Sequence, residues 1–243
     1  MSLYDVFKTT KKKLTVLVDP DKPTDKEIIK LAKSAEQAKV DFLFVGGSLL
    51  TSGNLDSCIK LLKEHTSIPV FIFPGNSMML SNKADGFLFL SLISGRNAEM
   101  LIGRHVIAAP YLKMSQIEVL STGYMLIDSG KQTSVSYMSS TVPIPYDKKD
   151  IAICTAMAGE MLGMKLIFMD AGSGAEKAIS TEMIAAVKQS ISVPLLVGGG
   201  IRTPEIAVKS AQAGADIIVI GNVLEQDADL LEQFTSAIHN LNK

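Results

Sequence analysis

Residues 193–202 read VPLLVGGGIR and residues 216–222 read DIIVIGN, two apolar runs that each end in glycine. Apolar runs of this length are typical of strands whose two faces are both covered in a parallel sheet. In β/α barrels the loops after the last two strands commonly form a phosphate site, because glycine lets the backbone approach an anion and direct its N–H groups at it. Glycine runs can also serve only as tight turns. Two of them, placed in this way, favour a phosphate site.

Six further apolar runs precede these two, and helical patterns separate them. We predict eight strands, at Leu14–Asp19, Phe42–Gly47, Pro69–Phe73, Gly86–Leu92, Tyr124–Asp128, Lys165–Ala171, Val193–Gly198 and Asp216–Gly221. Strand–helix alternation repeated eight times in 243 residues predicts a (β/α)8 TIM barrel that forms a single domain over residues 1–243. An open, doubly wound sheet is the alternative.

Capping residues mark where several of the helices begin. Thr24 and Glu27 form a capping box for a helix that runs to about Lys39. Asp147 is expected to cap a helix over Lys148–Leu162, and Thr203 is followed by proline at the first helical position.

The spacing between the strands is uneven. Only Pro74–Asp85 separates the third strand from the fourth, which is too short for a full crossover helix and its loops. We therefore expect one outer helix to be reduced or replaced, leaving an opening in the barrel wall.

Composition excludes several classes of protein. The net charge of −1 argues against a nucleic-acid binder, which needs a basic surface. The two cysteines are far apart and form no metal motif, which favours a reducing, cytoplasmic setting. No apolar run approaches the ~20 residues of a membrane span, although transient contact with a membrane surface is compatible with the sequence. None of the three histidines falls at a predicted strand end, so no Ser/His/Asp set is indicated.

Polar residues follow three other strands at the same predicted rim. Strand six ends in Asp170 and a flexible segment through Ala175, whose groups can bind a phosphate or a polyol. Strand one ends in Asp19 and Lys22, and strand two is followed by Ser48. Carboxylate and hydroxyl oxygens are ligands that Mg²⁺ accepts, although an Asp-Pro-Asp sequence also makes an ordinary turn.

Together these motifs resemble the geranylgeranylglyceryl phosphate synthases and the related PcrB-type heptaprenylglyceryl phosphate synthases, and the chain is closer to the archaeal-type branch. The segments that carry the resemblance are LVDPDK at 17–22, VGGS at 45–48, PIP at 143–145 with Asp147 and Lys148, MDAGSGA at 169–175, VGGGIR at 197–202 and GN at 221–222. The match spans essentially the whole chain.

The resemblance implies Mg²⁺-dependent prenyl transfer from geranylgeranyl diphosphate to the 3-hydroxyl of sn-glycerol 1-phosphate, which forms the first ether bond of an ether lipid. It implies Asp19 and Ser48 as metal ligands and Asp170 and Lys22 as catalytic residues. The glycerol phosphate site it implies consists of Phe168, Met169, Asp170, Ala171, Gly172, Ser173, Gly174, Gly198, Gly199, Gly221 and Asn222. It also implies a homo-oligomer, either a dimer or a hexamer. The small-residue helix Ala152–Gly159 is a candidate for close packing at the subunit interface.

Two positions depart from the family pattern. The family usually has Tyr and Glu where this chain has Phe168 and Asp170. Phe168 lacks the tyrosine hydroxyl, so one polar contact to the substrate is lost or supplied elsewhere. Asp170 keeps the carboxylate but on a shorter side chain. The segment 128–131 also differs from the usual E-P-G-G. The long apolar prenyl tail needs a groove, and we expect it at the reduced wall between strands three and five. Ile107–Pro110 and Tyr124 are candidates for its lining, and packing residues of the barrel are the alternative role for them.

Two other functions remain open from the residues. Glycine-rich ends of this kind also occur in isomerases and lyases of phosphorylated sugars, where Asp19 and Asp170 would serve as acid and base. A phosphate-binding barrel without catalytic activity is the third possibility. The sequence leaves the prenyl chain length open.

Overall fold

Eight parallel strands close into a barrel in the computed structural model, which describes residues 2–8, 10–51, 55–221 and 230–243. The strands follow one another around the barrel in chain order. They are β1 Lys13–Val18, β2 Phe42–Gly47, β3 Val70–Pro74, β4 Gly86–Leu92, β5 Glu118–Leu126, β6 Leu166–Asp170, β7 Leu195–Gly198 and β8 Ile217–Ile220. The predicted TIM barrel is confirmed, and closure excludes the open sheet.

One strand differs clearly from its prediction. β5 begins at Glu118, well before the predicted Tyr124, and residues from Glu118 onward pair with β4 from Gly86 onward. The polar residues of the first half of β5 interrupt the apolar run that marks the other strands. Apolar content alone therefore identified only the last part of β5, Tyr124–Leu126.

The helices lie between the strands. They are α1 Leu3–Phe7, α2 Asp25–Ala38, α3 Leu55–His65, α4 Arg104–Met114, α5 Ser134–Ser139, α6 Lys149–Met161, α7 Thr181–Ser190, α8 Pro204–Gln212 and α9 Leu230–His239. A π-helical turn, Glu99–Gly103, leads into α4, and a 3₁₀ turn, Asn240–Asn242, follows α9. Among the described residues, no helix is long and apolar enough to cross a membrane.

Two of the three capping predictions are confirmed. Thr24 and Glu27 form the capping box of α2, and Thr203 accepts a hydrogen bond from the Ile206 N–H ahead of α8. The third is wrong, because α6 begins at Lys149 with Lys148 as its cap residue and without a side-chain cap. Asp147 instead lies at the surface, with a carboxylate oxygen 3.6 Å from the Lys148 ammonium.

The outer wall of the barrel lacks a helix between β3 and β4, as the short spacing between these strands predicted. Residues 75–85, between β3 and β4, contain turns and no helix. Their side of the barrel is covered by the π-helical turn and α4, which follow β4. A small cleft of about 60 Å³ opens there, lined by Pro74, Gly75, Asn76, Ser77, Phe87, Phe89, Leu90, Glu99, Met100, Arg104, His105 and Ala108.

The buried side chains form two layers. One lies between the strands and the outer helices, and the other fills the barrel with mainly aromatic and leucine side chains. At the amino end, Phe7 of α1 stacks on Phe42 at a centroid distance of 4.5 Å and meets Phe71 edge-on. In the part of the chain that the structure describes, this end is closed by packing, whereas the carboxyl end is open.

Three small residues of α6 pack inward. Ala152, Ala156 and Gly159 are buried, and a Cβ on Gly159 would lie 2.8 Å from the Ile93 side chain. The three buried residues let the helix approach the barrel closely. Ala158 of the same helix is exposed, and packing of this helix at a subunit interface stays a prediction.

Candidate active site

A cavity of about 760 Å³ lies at the carboxyl ends of the strands. Polar groups enter it from the ends of β1, β2, β6, β7 and β8. Of the predicted site residues, it is lined by Asp19, Lys22, Ser48, Phe168, Asp170, Gly172, Ser173, Gly174, Gly198, Gly199 and Gly221. Asn222 lies outside the described residues.

The glycines after β6 and β7 bring two loops into direct contact. Gly172 and Gly199 both have positive φ, at +86° and +79°. A Cβ on Gly199 would lie 2.6 Å from Asp170 Oδ1 and 2.7 Å from the backbone nitrogens of Ala171 and Gly172. A side chain at position 199 would therefore displace the loop that follows β6, as well as adopting a backbone conformation that is unfavourable for L residues.

Alternation along β6 determines which of the predicted contacts are possible. Successive side chains of a strand point to opposite faces, so Phe168 and Asp170 point into the barrel. Met169 and Ala171 are buried in the layer between the strands and the helices. Their side chains do not line the cavity, and the predicted contact segment from Phe168 to Gly174 lines it only in part.

Asp170 is a half-buried acid of the cavity. Its Oδ2 accepts a hydrogen bond from the Tyr124 hydroxyl at 2.5 Å, and its Oδ1 accepts one from the Gly172 N–H at 2.8 Å. Burial raises the pKa of the Asp170 carboxyl, and the hydrogen bonds from Tyr124 and Gly172 oppose that rise. A carboxylate with an elevated pKa is suited to accepting a proton from a substrate hydroxyl.

Tyr124 lies inside the barrel, not in the wall as the sequence suggested. It pairs with Phe168 across β5 and β6, and their rings meet edge-on at 5.5 Å. The Phe73 ring contacts both, at 6.0 and 5.7 Å. The strand register, invisible in the sequence, directs Tyr124 toward Asp170.

The opposite side of the cavity carries Asp19, Lys22 and Ser48. Lys22 Nζ lies 3.5 Å from Asp19 Oδ2, and the Asp21 N–H donates to Asp19 Oδ1 at 3.1 Å. A Cβ on Gly47 would lie 3.8 Å from the Asp19 carboxylate, so this carboxylate and the end of β2 are adjacent. No group of three or more His, Cys, Asp or Glu side chains in the described part of the chain could hold a metal ion by itself.

Several cavity residues were not predicted as site residues. The short helix α5 contributes Ser134, Val135, Met138 and Ser139, and Arg202 lies beyond β7. The Arg202 guanidinium donates to the Ala175 carbonyl at 2.7 Å and so links the loops after β6 and β7. Arg202 could have been inferred from its position beside the glycine run, whereas the sequence contains no signal that α5 lies over the barrel.

Ser91 and His105 form a polar pair outside this cavity. Ser91 Oγ lies 3.0 Å from His105 Nε2 and donates to the Leu101 carbonyl at 3.1 Å. The pair links β4, which carries Ser91, to α4, which carries His105.

A closed parallel barrel with polar groups converging at the carboxyl ends of its strands is the architecture of the β/α-barrel enzymes. Comparison with known proteins narrows this class, because the model of the PcrB family matches residues 7–240. The chain belongs to the PcrB family.

Named relatives lie in both bacteria and archaea. The geranylgeranylglyceryl phosphate synthase of Chitinophaga pinensis is 54% identical over 94% of this chain and 90% of its own length. The protein of the same name from Methanosphaera stadtmanae is 38% identical over 92% of each chain. The crystal structure of (S)-3-O-geranylgeranylglyceryl phosphate synthase from Thermoplasma acidophilum, in complex with its substrate sn-glycerol 1-phosphate, matches with a TM-score of 0.93 at 34% identity over 99% of both chains.

Proposed function

We propose that this protein is a geranylgeranylglyceryl phosphate synthase, which joins the 3-hydroxyl of sn-glycerol 1-phosphate to geranylgeranyl diphosphate. The observation that carries the proposal is a single cavity in which the half-buried Asp170 and glycine-rich loops lie with Asp19 and Lys22. The names of the relatives and the glycerol phosphate complex of the Thermoplasma protein support it.

The glycerol phosphate binds on the β6–β8 side of the cavity. Gly199, Gly200 and Gly221 leave room there for a phosphate to approach the backbone. The charge of Arg202, at the same rim, attracts the anion. With the phosphate held at this end, the glycerol hydroxyls extend toward the centre of the cavity, where Asp170 lies.

Asp170 accepts the proton of the attacking hydroxyl. A bond forms between the glycerol oxygen and C1 of the prenyl chain, the bond from C1 to the diphosphate oxygen breaks, and the proton passes to the Asp170 carboxylate. Two hydrogen bonds occupy only part of the accepting capacity of a carboxylate. Asp170 can therefore bind a substrate hydroxyl without losing its protein partners.

The diphosphate binds on the opposite side, near Asp19, Ser48 and Lys22. Mg²⁺ commonly uses one or two carboxylates together with substrate phosphates and water, and the Asp19 carboxylate with the nearby Ser48 fits that donor set. Bound Mg²⁺ would neutralise the charge that develops on the leaving diphosphate. Lys22 contributes a second positive charge beside Asp19.

The prenyl tail extends into the cleft where the barrel wall is reduced. Leu90, Met100, Pro74 and Gly75 line both the large cavity and this cleft, so the two adjoin. Phe87, Phe89 and Ala108 continue the apolar lining. Of the segment 107–110 predicted to line the groove, Ala108 does so, whereas Ile107 is 55% exposed at the outer surface.

The oligomeric state and the cellular location of the protein are part of the proposal. We propose a cytoplasmic homo-oligomer, a dimer or a hexamer, in transient contact with membranes that supply or receive prenyl lipids. The exposed apolar side chains of α6 and the residue after it, Ile151, Met161 and Leu162, are available for a subunit contact. Sedimentation velocity on the purified protein tests this, and a monomer at micromolar concentration would contradict it.

One assay tests the reaction. The purified protein is incubated with sn-glycerol 1-phosphate, radiolabelled geranylgeranyl diphosphate and Mg²⁺, then treated with phosphatase and extracted into organic solvent. We expect a labelled prenylglycerol that disappears with EDTA and is weak with sn-glycerol 3-phosphate. Farnesyl and longer diphosphates in parallel reactions measure the chain length. Absence of product with every diphosphate would overturn the proposal.

Substitution of Gly199 by alanine tests the phosphate side. The new Cβ would press on Asp170 and the loop after β6, so we expect KM for glycerol phosphate to rise about tenfold or more, equivalent to ~1.4 kcal/mol of lost binding. Steady-state kinetics at saturating diphosphate measure it.

The matched control is Gly163→Ala. Gly163 has a similar φ of +86°, but nothing lies within 4 Å of its hypothetical Cβ. Both variants share the backbone strain of about 1–2 kcal/mol, and only Gly199→Ala should change KM. Equal KM values in both variants would place the phosphate elsewhere.

A further inference from the structure

Tyr124 and Asp170 form a hydrogen-bonded pair inside an otherwise apolar interior. The Tyr124 side chain is only 5% exposed, and its hydroxyl donates to Asp170 Oδ2 at 2.5 Å. Around this contact the barrel is filled by rings and aliphatic chains, among them Phe73, Phe168 and Val219. A hydroxyl buried in such surroundings is costly unless it is hydrogen-bonded, and Asp170 supplies that bond.

The position of the hydroxyl is fixed from several sides. Phe73 and Phe168 contact the Tyr124 ring edge-on, and β5 pairs with β6 at Tyr124 and Phe168. With its ring held in this way, Tyr124 presents its proton to one oxygen of the carboxylate. The Gly172 N–H occupies the other oxygen at 2.8 Å, so the two donors together define the plane of the carboxylate.

We propose that Tyr124 is the positioning residue of this site: its hydroxyl holds the Asp170 carboxylate in the orientation that receives the proton of the glycerol hydroxyl. The proposal rests on the proposed function for the reaction itself. The arrangement of the two side chains stands independently of it.

The protonation states agree with this role. Burial, and then the charge of Asp170, raise the pKa of the Tyr124 phenol, so it remains a donor across the working pH range. Its hydrogen bond lowers the pKa of Asp170 against the rise caused by burial. Among the described residues, the other charged groups that line the cavity are Asp19, Lys22 and Arg202.

The test compares Tyr124→Phe with Tyr124→Leu. Phenylalanine preserves the ring contacts and removes only the hydrogen bond, whereas leucine removes both. A positioning role predicts that the phenylalanine variant already loses about 10- to 100-fold in kcat, the range for a hydrogen bond to a charged group. A packing role predicts near-normal kcat for phenylalanine and a loss only for leucine.

The control for loss of a tyrosine hydroxyl is Tyr111→Phe, because Tyr111 is 61% exposed on α4. Its kcat should equal that of the unsubstituted protein. Circular dichroism and thermal unfolding of all three variants establish that they are folded.

A second measurement requires no turnover. The Asp170 carboxyl carbon is titrated by NMR in protein labelled with ¹³C-aspartate, and its signal is assigned by its absence from Asp170→Asn. In Tyr124→Phe we expect the pKa of Asp170 to move upward, because a donor to the charged form is lost. An unchanged titration together with normal kcat would overturn the positioning role. A shifted titration in a protein that makes no prenylglycerol would overturn the proposed reaction and leave the pairing intact.

Discussion

Asp19→Asn is expected to lower kcat by about 100- to 1,000-fold, the loss typical of removing a group that stabilises charge in a transition state. Asparagine preserves the size of the side chain but removes the negative charge with which, in the proposed function, Asp19 would hold Mg²⁺ against the diphosphate. The Lys22 ammonium, 3.5 Å from Asp19 Oδ2, also loses its partner. Kinetics over a range of Mg²⁺ concentrations measure the effect, and the Mg²⁺ requirement should move to higher concentration.

Asp25→Asn is the control for this variant. Asp25 is exposed in the first turn of α2, a short distance along the chain from Asp19, and it does not line the cavity. Isothermal calorimetry of Mg²⁺ binding in the presence of inorganic diphosphate gives a readout independent of turnover. Normal activity and normal Mg²⁺ binding in Asp19→Asn would contradict the metal assignment.

Asp170→Asn is expected to lower kcat by about 100- to 10,000-fold, the contribution typical of a positioned general base. The amide fills the same space but cannot accept the proton of the glycerol hydroxyl. Single-turnover kinetics with bound substrates measure the chemical step directly. Retention of more than a tenth of the normal rate would exclude Asp170 as the proton acceptor.

The pH dependence provides the second readout for Asp170. The base must be ionised to act, so activity should rise with pH through the pKa of Asp170. Burial raises that pKa, and the acid limb of kcat/KM should therefore lie above the ordinary range of an aspartate. Asp170→Glu, which restores the carboxylate on a longer arm, should recover part of the rate that Asp170→Asn loses, and a flat profile in the unsubstituted protein would contradict the assignment.

The strands were predictable because local composition determines them. A strand buried on both faces must be apolar along its length, and this identified most of the barrel. Where a strand is partly polar, as in the first half of β5, the same rule failed. The missing helix between β3 and β4 was predictable for a different reason, since the short segment Pro74–Asp85 cannot supply a full crossover helix together with its loops.

The candidate site was predictable only as a set of strand ends. Asp19, Ser48, Asp170 and Gly199 each follow or end a strand, and parallel strands in a barrel bring their carboxyl ends to one rim. Cavity residues that lie on a helix could not be identified in this way. The α5 residues line the cavity because a loop returns over the barrel, and no local pattern indicates where such a loop folds back.

By itself the sequence determined the barrel, the open side of its wall and the rim at which the cavity lies, because strand burial, connection length and glycine placement are local properties of the chain. The tertiary structure alone decided that Tyr124 reaches Asp170 and that Met169 and Ala171 point away from the cavity. It also buried Ala152, Ala156 and Gly159 of α6. These outcomes depend on strand register and on which face of each element meets its neighbour, and packing between distant segments sets both.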